Sequence, residues 1–254
     1  MQKKFELTTE FIIWRGIKLS RIKALVEFGN VKKGDLGGYV EKEENIQQSG
    51  DTWVYENAKV HGNAEVHENA KVHGNAEVHG NAEVYGNAEV HGNAWVDGNA
   101  LVRGNARVYG NTEMRGNAKV YENAKVYENA EVCGNALVYG NAKVYGNALV
   151  YDDAEVHGNA LVCGNTKLYG DTLVRGNALV CSDADYTTIK GFGSEYRNTT
   201  FFRTKDKDVD VSCGCFYGTL AEFREKVKKT HGESRYAKEY LMIADLMKLH
   251  FKEG

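Results

Sequence analysis

From Val54 to Val180 every sixth residue is Val, with Met114 and Leu168 the only substitutes in 22 positions and no insertion or deletion anywhere. Four residues after most of them stands Ala, or Thr at 112, 166 and 172, and Gly-Asn lies between. A period of six is not the 3.6 of a helix, and the Tyr, Val and Thr that fill the pattern are strand formers. Each hexad therefore predicts a short strand followed by a turn, as in Trp53-Val54-Tyr55 and Glu56-Asn57-Ala58. In such a strand the central Val faces one way and its neighbours the other. Those neighbours vary freely among Tyr, His, Lys, Glu and Arg, so the Val is the buried member. Gly gives the turn its freedom, and Asn is expected there as the non-glycine residue that best tolerates positive φ. Ala fills a corner too tight for anything larger than Thr.

A strand this short cannot bury its Val alone, so successive turns of chain must stack. With Val60 followed by Ala64 and Val66 by Ala70, the segment resembles the hexapeptide-repeat proteins, whose pattern places an aliphatic residue at i and a small one at i+4. The resemblance implies an all-β fold, a left-handed parallel β-helix of about seven 18-residue coils with three hexads to a triangular turn. At strand spacing this is a prism about 35 Å tall. Right-handed β-helices and pentapeptide-repeat prisms do not share the six-residue period.

A stacked prism leaves unpaired backbone at both ends, and the flanking sequence reads as two caps. Residues 1–50 form the N-terminal cap, a β-hairpin from Phe11-Ile12-Ile13-Trp14 through Arg15-Gly16 into Ile17–Phe28, with Ile46 in an inward corner. Residues 51–185 are the β-helix, and residues 186–254 a small α+β cap and interaction domain. In the latter, Thr200–Arg203 and Val209–Ser212 read as strands. Thr219 with Glu222 is a capping box opening a helix that stops near Gly232, and a second helix runs from Tyr236 to Phe251, with Tyr240, Ile243 and Met247 on one face. Leu149, Leu161, Leu173 and Leu179 point outward on the late coils and require a cover, from this tail or a neighbouring subunit. Trp53 and Trp95 are expected outward, Trp14 inside the first cap.

The chain has 254 residues, a net charge of −3 and no Pro. No stretch of 18 apolar residues and no apolar leader is present, so a cytoplasmic protein without membrane contact is expected. Cys133, Cys163 and Cys181 take repeat surface positions, and Cys213-Gly-Cys215 is too closely spaced, with no second pair, for zinc.

Residues 18 apart stack, so the outward positions form ladders. One runs Tyr55, His73, His91, Tyr109, Tyr127, Tyr145, Cys163, Cys181, beside Lys71, Glu89, Arg107, Lys125, Lys143. Cross-strand stacking accounts for such ladders, and Tyr and Arg are also the residue types enriched at protein interfaces. Direct nucleic-acid binding is not expected, because the chain carries no long basic stripe. His73 with His91, and His61 with His79, stand one coil apart. Gamma-class carbonic anhydrases, also hexapeptide-repeat trimers, hold zinc through such pairs and a third His from another subunit. The alternation of His with Tyr at these positions favours a solvated ladder, and no metal is expected.

Hexapeptide-repeat acyltransferases bind acyl-CoA at the seams of a trimer and use a His general base on or beside a loop excursed from the coils. Such a base must be near neutral to take a proton from the acceptor. No loop leaves the coils between 52 and 181 here, and His157 is the residue that would serve. The ends carry a second resemblance. Val31-Lys-Lys-Gly-Asp-Leu-Gly-Gly-Tyr-Val-Glu-Lys-Glu-Glu-Asn45 is similar to the lead-in of bacterial and prophage repeat proteins commonly labelled transferases, and Thr199–Thr204 with Val211–Phe216 and Thr230-His-Gly to the tails of phage-borne members. That implies a phage or prophage origin and a non-enzymatic binding protein, an inhibitor of a host defence nuclease or signalling system. Its partner would be a host or phage protein, bound through Arg203, Phe216 and Tyr217 and the Tyr109–Tyr127–Tyr145 ladder, with no cofactor. The competing role of the first three is docking the cap onto the prism. The alternative is an acyltransferase, acting as a homotrimer with acetyl-CoA.

Overall fold

The computed structural model describes residues 2–252, so Met1 and the last two residues of the C-terminal cap lie outside it. The hexads build a parallel β-solenoid of about eight turns whose strands form three stacked sheets. Face one carries Lys59–Val60 down to Lys167–Leu168, face two Glu65–Val66 down to Leu173–Val174, and face three Trp53–Val54 down to Leu179–Val180. Each strand pairs in register with those 18 residues away, as Val90 with Val72 and Val108. The inward Val and corner Ala are fully buried along the whole prism.

The solenoid begins before the repeat motif does, which is why it has more turns than the seven counted from the hexads. β3 (Leu36–Val40) pairs in parallel with Lys59–Val60 as the first rung of face one. Ile46 bridges Val66 as the first rung of face two. The Gly37-Gly38 pair explains itself here. A Cβ on Gly38 would stand 2.5 Å from the Ala58 carbonyl and 2.6 Å from Val54 Cγ1, and one on Gly37 would stand 2.5 Å from the Val54 carbonyl. The first rung passes over the next coil with no room for a side chain. Gly38→Ala is accordingly expected to lower the urea unfolding midpoint, at a cost of about 2–3 kcal/mol. An unchanged midpoint would mean that this rung is not closely wrapped.

The turns correct one sequence reading. Positive φ falls on the residue before the Asn, or before Asp153 and Asp171 where Asp replaces it, and that residue is Gly or, at 56, 68, 122, 128 and 152, Glu or Asp. Asn has another task. On each of the three corners its side-chain Nδ2 donates to the Oδ1 of the Asn one coil on, as from Asn63 through Asn81, Asn99, Asn117 and Asn135 to Asp153, at 2.9–3.1 Å. Stacked amides supply both donor and acceptor at every rung, which a carboxylate does not. Asp153 accepts but cannot donate onward, and that column ends there.

β1 (Phe5–Trp14) and β2 (Ile17–Ala24) form the predicted hairpin, turning at Arg15 (φ 49) and Gly16 (φ 83). Two positive φ values are what a tight hairpin turn demands. Phe5, Ile22 and Val31 close the top of the prism. Trp53, outward by strand parity, is buried there between Phe5 and Phe28, with ring centroids 6.1 and 5.4 Å away. Lys4 is buried as well, its ammonium donating to the Thr52 carbonyl at 2.9 Å, and burial draws its pKa down to about 8. The hairpin tip arches over face one. Trp14 is only half-buried and lies on Lys59, 4.4 Å from its ring centroid, and Arg15 covers the Trp95 ring at 4.0 Å.

At the other end, Tyr186–Ile189, Thr199–Arg203, Val209–Cys213 and Phe216–Thr219 form a four-stranded antiparallel sheet, two strands more than the sequence suggested. α1 (Leu220–His231) and α2 (Arg235–His250) pack on it. Thr219 and Glu222 form the capping box reciprocally, and Gly232 ends α1. The period-two alternation of Thr199–Arg203 serves two cores: Phe202 plugs the solenoid, while Phe201 meets Phe223 edge-on inside the domain. This strand runs along the last rungs, where the hydroxyl of Thr200 accepts from the Leu173 amide, and Leu149, Leu161, Leu173 and Leu179 are all half-buried.

Candidate interaction surfaces

Register alone builds the ladder on face three. The rings of His91, Tyr109, Tyr127 and Tyr145 lie parallel within 5°, with successive centroids 4.7, 5.1 and 4.9 Å apart. Arg107, Lys125 and Lys143 climb beside them; Glu89 holds Arg107 at 3.2 Å. The result is a flat, preordered strip of half-buried phenol faces edged by cations. Cys163 and Cys181 continue the column as a disulfide one coil apart, Cα to Cα 4.3 Å.

His157 is a rung of the face-two ladder Tyr121–Tyr139–His157, its ring 4.6 Å from that of Tyr139. Burial, and then Arg175, hold its imidazole below the usual histidine range; burial does the same for His73 and His91. Each therefore refuses a proton that the unfolded chain, with an ordinary pKa near ~6.5, takes up. Their contribution is complete above that value and is lost as pH falls through it toward the folded-state pKa. Thermal melts from pH 7 to pH 5 are expected to show this loss. His73→Tyr with His91→Tyr and His157→Tyr, which keeps every rung aromatic, is expected to make it shallower, leaving the part due to His79, whose imidazole burial also lowers. An equally steep profile in the variant would place the acid sensitivity elsewhere.

His61 and His79 do stack, at 4.9 Å. The hairpin tip covers them: His61 Nε2 bonds Glu77 Oε1 at 2.9 Å, and His79 Nδ1 lies 3.2 Å from Asp97. His61 and Glu77 are both nearly buried.

The three tail residues singled out in the sequence are engaged with the cap junction. Arg203 pairs with Asp185 at 3.2 Å and lies over the Phe251 ring. The Phe216 carbonyl accepts from Arg175 Nη2 at 2.7 Å, and its ring leans on Phe223. The Tyr217 hydroxyl donates to Asp210 Oδ2 at 2.7 Å, its ring under the Arg175 guanidinium; burial, reinforced by that carboxylate, pushes its pKa up to about 12. These contacts match the cap-docking role weighed beside binding.

A surface that the sequence reading passed over lies on α2. Tyr240, Ala244 and Met247 face the domain core, while Met242, Leu246 and Leu249 are exposed at 72, 57 and 62 %. The signal was present in the sequence as a second set of apolar residues at i, i+4 and i+7 on the helix's other side.

Residues 142–158 match the family model of the YdcK beta solenoid repeat. The matched stretch holds the inward Val144, Val150 and Val156, one from each face. The chain is a β-solenoid repeat protein. A search of curated proteins finds no match. Among the described residues no helix is long and apolar enough to cross a membrane.

Proposed function

We propose that this chain is a non-enzymatic binding protein, in which the solenoid is a rigid stalk and the C-terminal domain docks a protein partner. The observation that carries the reading is the row Met242, Leu246 and Leu249 on α2, three large apolar side chains left in water along one side of one helix. Contiguous exposed apolar surface is characteristic of interaction sites. The phenol strip of Tyr109, Tyr127 and Tyr145 offers a second contact surface, already ordered by its rungs and so recruited without loss of side-chain freedom. The likeness of the chain's ends to phage-borne repeat proteins supports a host defence nuclease or signalling protein as the partner, inhibited by occlusion.

A photo-crosslinking residue at Met242, in cells of the bacterial host, tests this reading. One dominant adduct is expected, absent when Leu246→Lys is added and weakened by Tyr127→Ala. Native mass spectrometry with acetyl-CoA is the counter-test. A trimer carrying three acetyl-CoA molecules would overturn the non-enzymatic reading and direct attention to His157→Ala.

A further inference from the structure

The C-terminal domain contains a cavity of about 350 Å³ that neither the solenoid nor the α2 stripe explains. That volume is within the range of small-ligand sites. Its floor is aromatic: Phe223 lies 5.5 Å from Phe216 on one side and 5.5 Å, edge-on, from Tyr240 on the other. Its rim is basic, with Arg197, Lys226 and His231 against the single carboxylate of Glu195. Glu195 holds Arg197 only loosely, at 3.9 Å with both side chains more than half exposed, and Lys226 has no ion pair among the described residues. Gly214 makes room for this arrangement. A Cβ there would stand 2.6 Å from Arg197 Nη1, so the glycine at the hairpin turn (φ +55) lets the guanidinium lie close against it, at the cavity's lining.

Aromatic faces accept a flat apolar ring, and two solvent-facing cations at its edge select one that bears negative charge. We propose that this cavity binds a small aromatic anion, its ring against Phe216, Phe223 and Tyr240 and its acidic group between Arg197 and Lys226. The site is independent of the α2 surface and would give the domain a small-molecule ligand in addition to a protein partner.

The two thiols of Cys213 and Cys215 line the same cavity and report on its occupancy. The probe is 8-anilinonaphthalene-1-sulfonate, an aromatic anion whose fluorescence rises on binding. It is expected to saturate a single site and to slow iodoacetamide alkylation of Cys213 and Cys215, read by peptide mass spectrometry, while half-buried Cys133 on the solenoid reacts unchanged. Arg197→Glu with Lys226→Glu, both exposed positions, is expected to weaken the probe by about tenfold or more, the equivalent of about 1.4 kcal/mol. Uncharged N-phenyl-1-naphthylamine is expected to bind both proteins alike. Saturation without protection of the two cysteines, or loss of binding in Leu246→Lys, would place the probe on α2 and overturn the proposal. Equal affinity for the charge-reversed variant, or no saturable binding, would overturn it as well.

Discussion

Val126→Asp is expected to break the solenoid into two separately melting halves. Val126 is fully buried on the prism axis, between Val108 and Val144 in the rungs above and below. The backbone groups around it are committed to those rungs, so an aspartate there finds no donor. Whether it stays charged or takes up a proton, burying the unpaired group costs more than about 4 kcal/mol. In a compact domain this loss would be shared by the whole fold. Here each coil touches only its neighbours, so the damage stays local and the array uncouples at that rung. Two thermal transitions are expected, with early proteolytic cleavage in the turns near 126. Lys125→Asp, one residue away and facing water, is expected to change stability by less than about 0.5 kcal/mol. A single wild-type-like transition in Val126→Asp would show that the coils are not coupled rung by rung.

Phe202→Ala is expected to undo the C-terminal cap and produce end-to-end association. The ring is fully buried at the bottom of the solenoid, and truncating such a phenylalanine costs about 3–5 kcal/mol. Tyr186 is the other cap residue in the solenoid core, and several remaining ties are polar, including Arg175 to the Phe216 carbonyl and Lys205 to the Asn159 carbonyl, where water competes. With the domain released, the last rungs Lys167–Leu168, Leu173–Val174 and Leu179–Val180 become open strand edges. Light scattering on a sizing column is expected to show mass growing with concentration. A variant with the wild-type mass at every concentration would mean that Tyr186 and the polar ties hold the cap without Phe202.

What the sequence made legible is what repeats. The hexad put Val inward and Ala in the corner because a period of six leaves no other consistent parity, and both are buried throughout. Strict spacing of 18 likewise placed Tyr109 over Tyr127 and Tyr127 over Tyr145. Asn was misread because φ is a property of one residue, whereas its amide ladder exists only between coils. The hairpin tip was missed for a related reason. Nothing local in Trp14-Arg15 says that it will lie over Lys59 and Trp95, because that contact comes from the path of an aperiodic segment. Trp53 shows both sides of this: its outward parity was right, and its exposure was not, since Phe5 and Phe28 cover it. In the tail, helix faces were read only for what they bury, and the exposed Met242, Leu246 and Leu249 were left out.

The unbroken hexad also makes the solenoid a screw thread. Adding or removing 18 residues leaves every Val, Ala and Asn in place and moves the C-terminal domain along the axis by one rung, about 4.8 Å. Adding or removing six instead swings that domain round to the next face of the triangle. Height and azimuth are thus separately adjustable by whole repeats, and neighbouring repeats are alike enough in sequence to be gained or lost by recombination. Reach and aim of the α2 surface can change between related chains without a single new contact having to be invented.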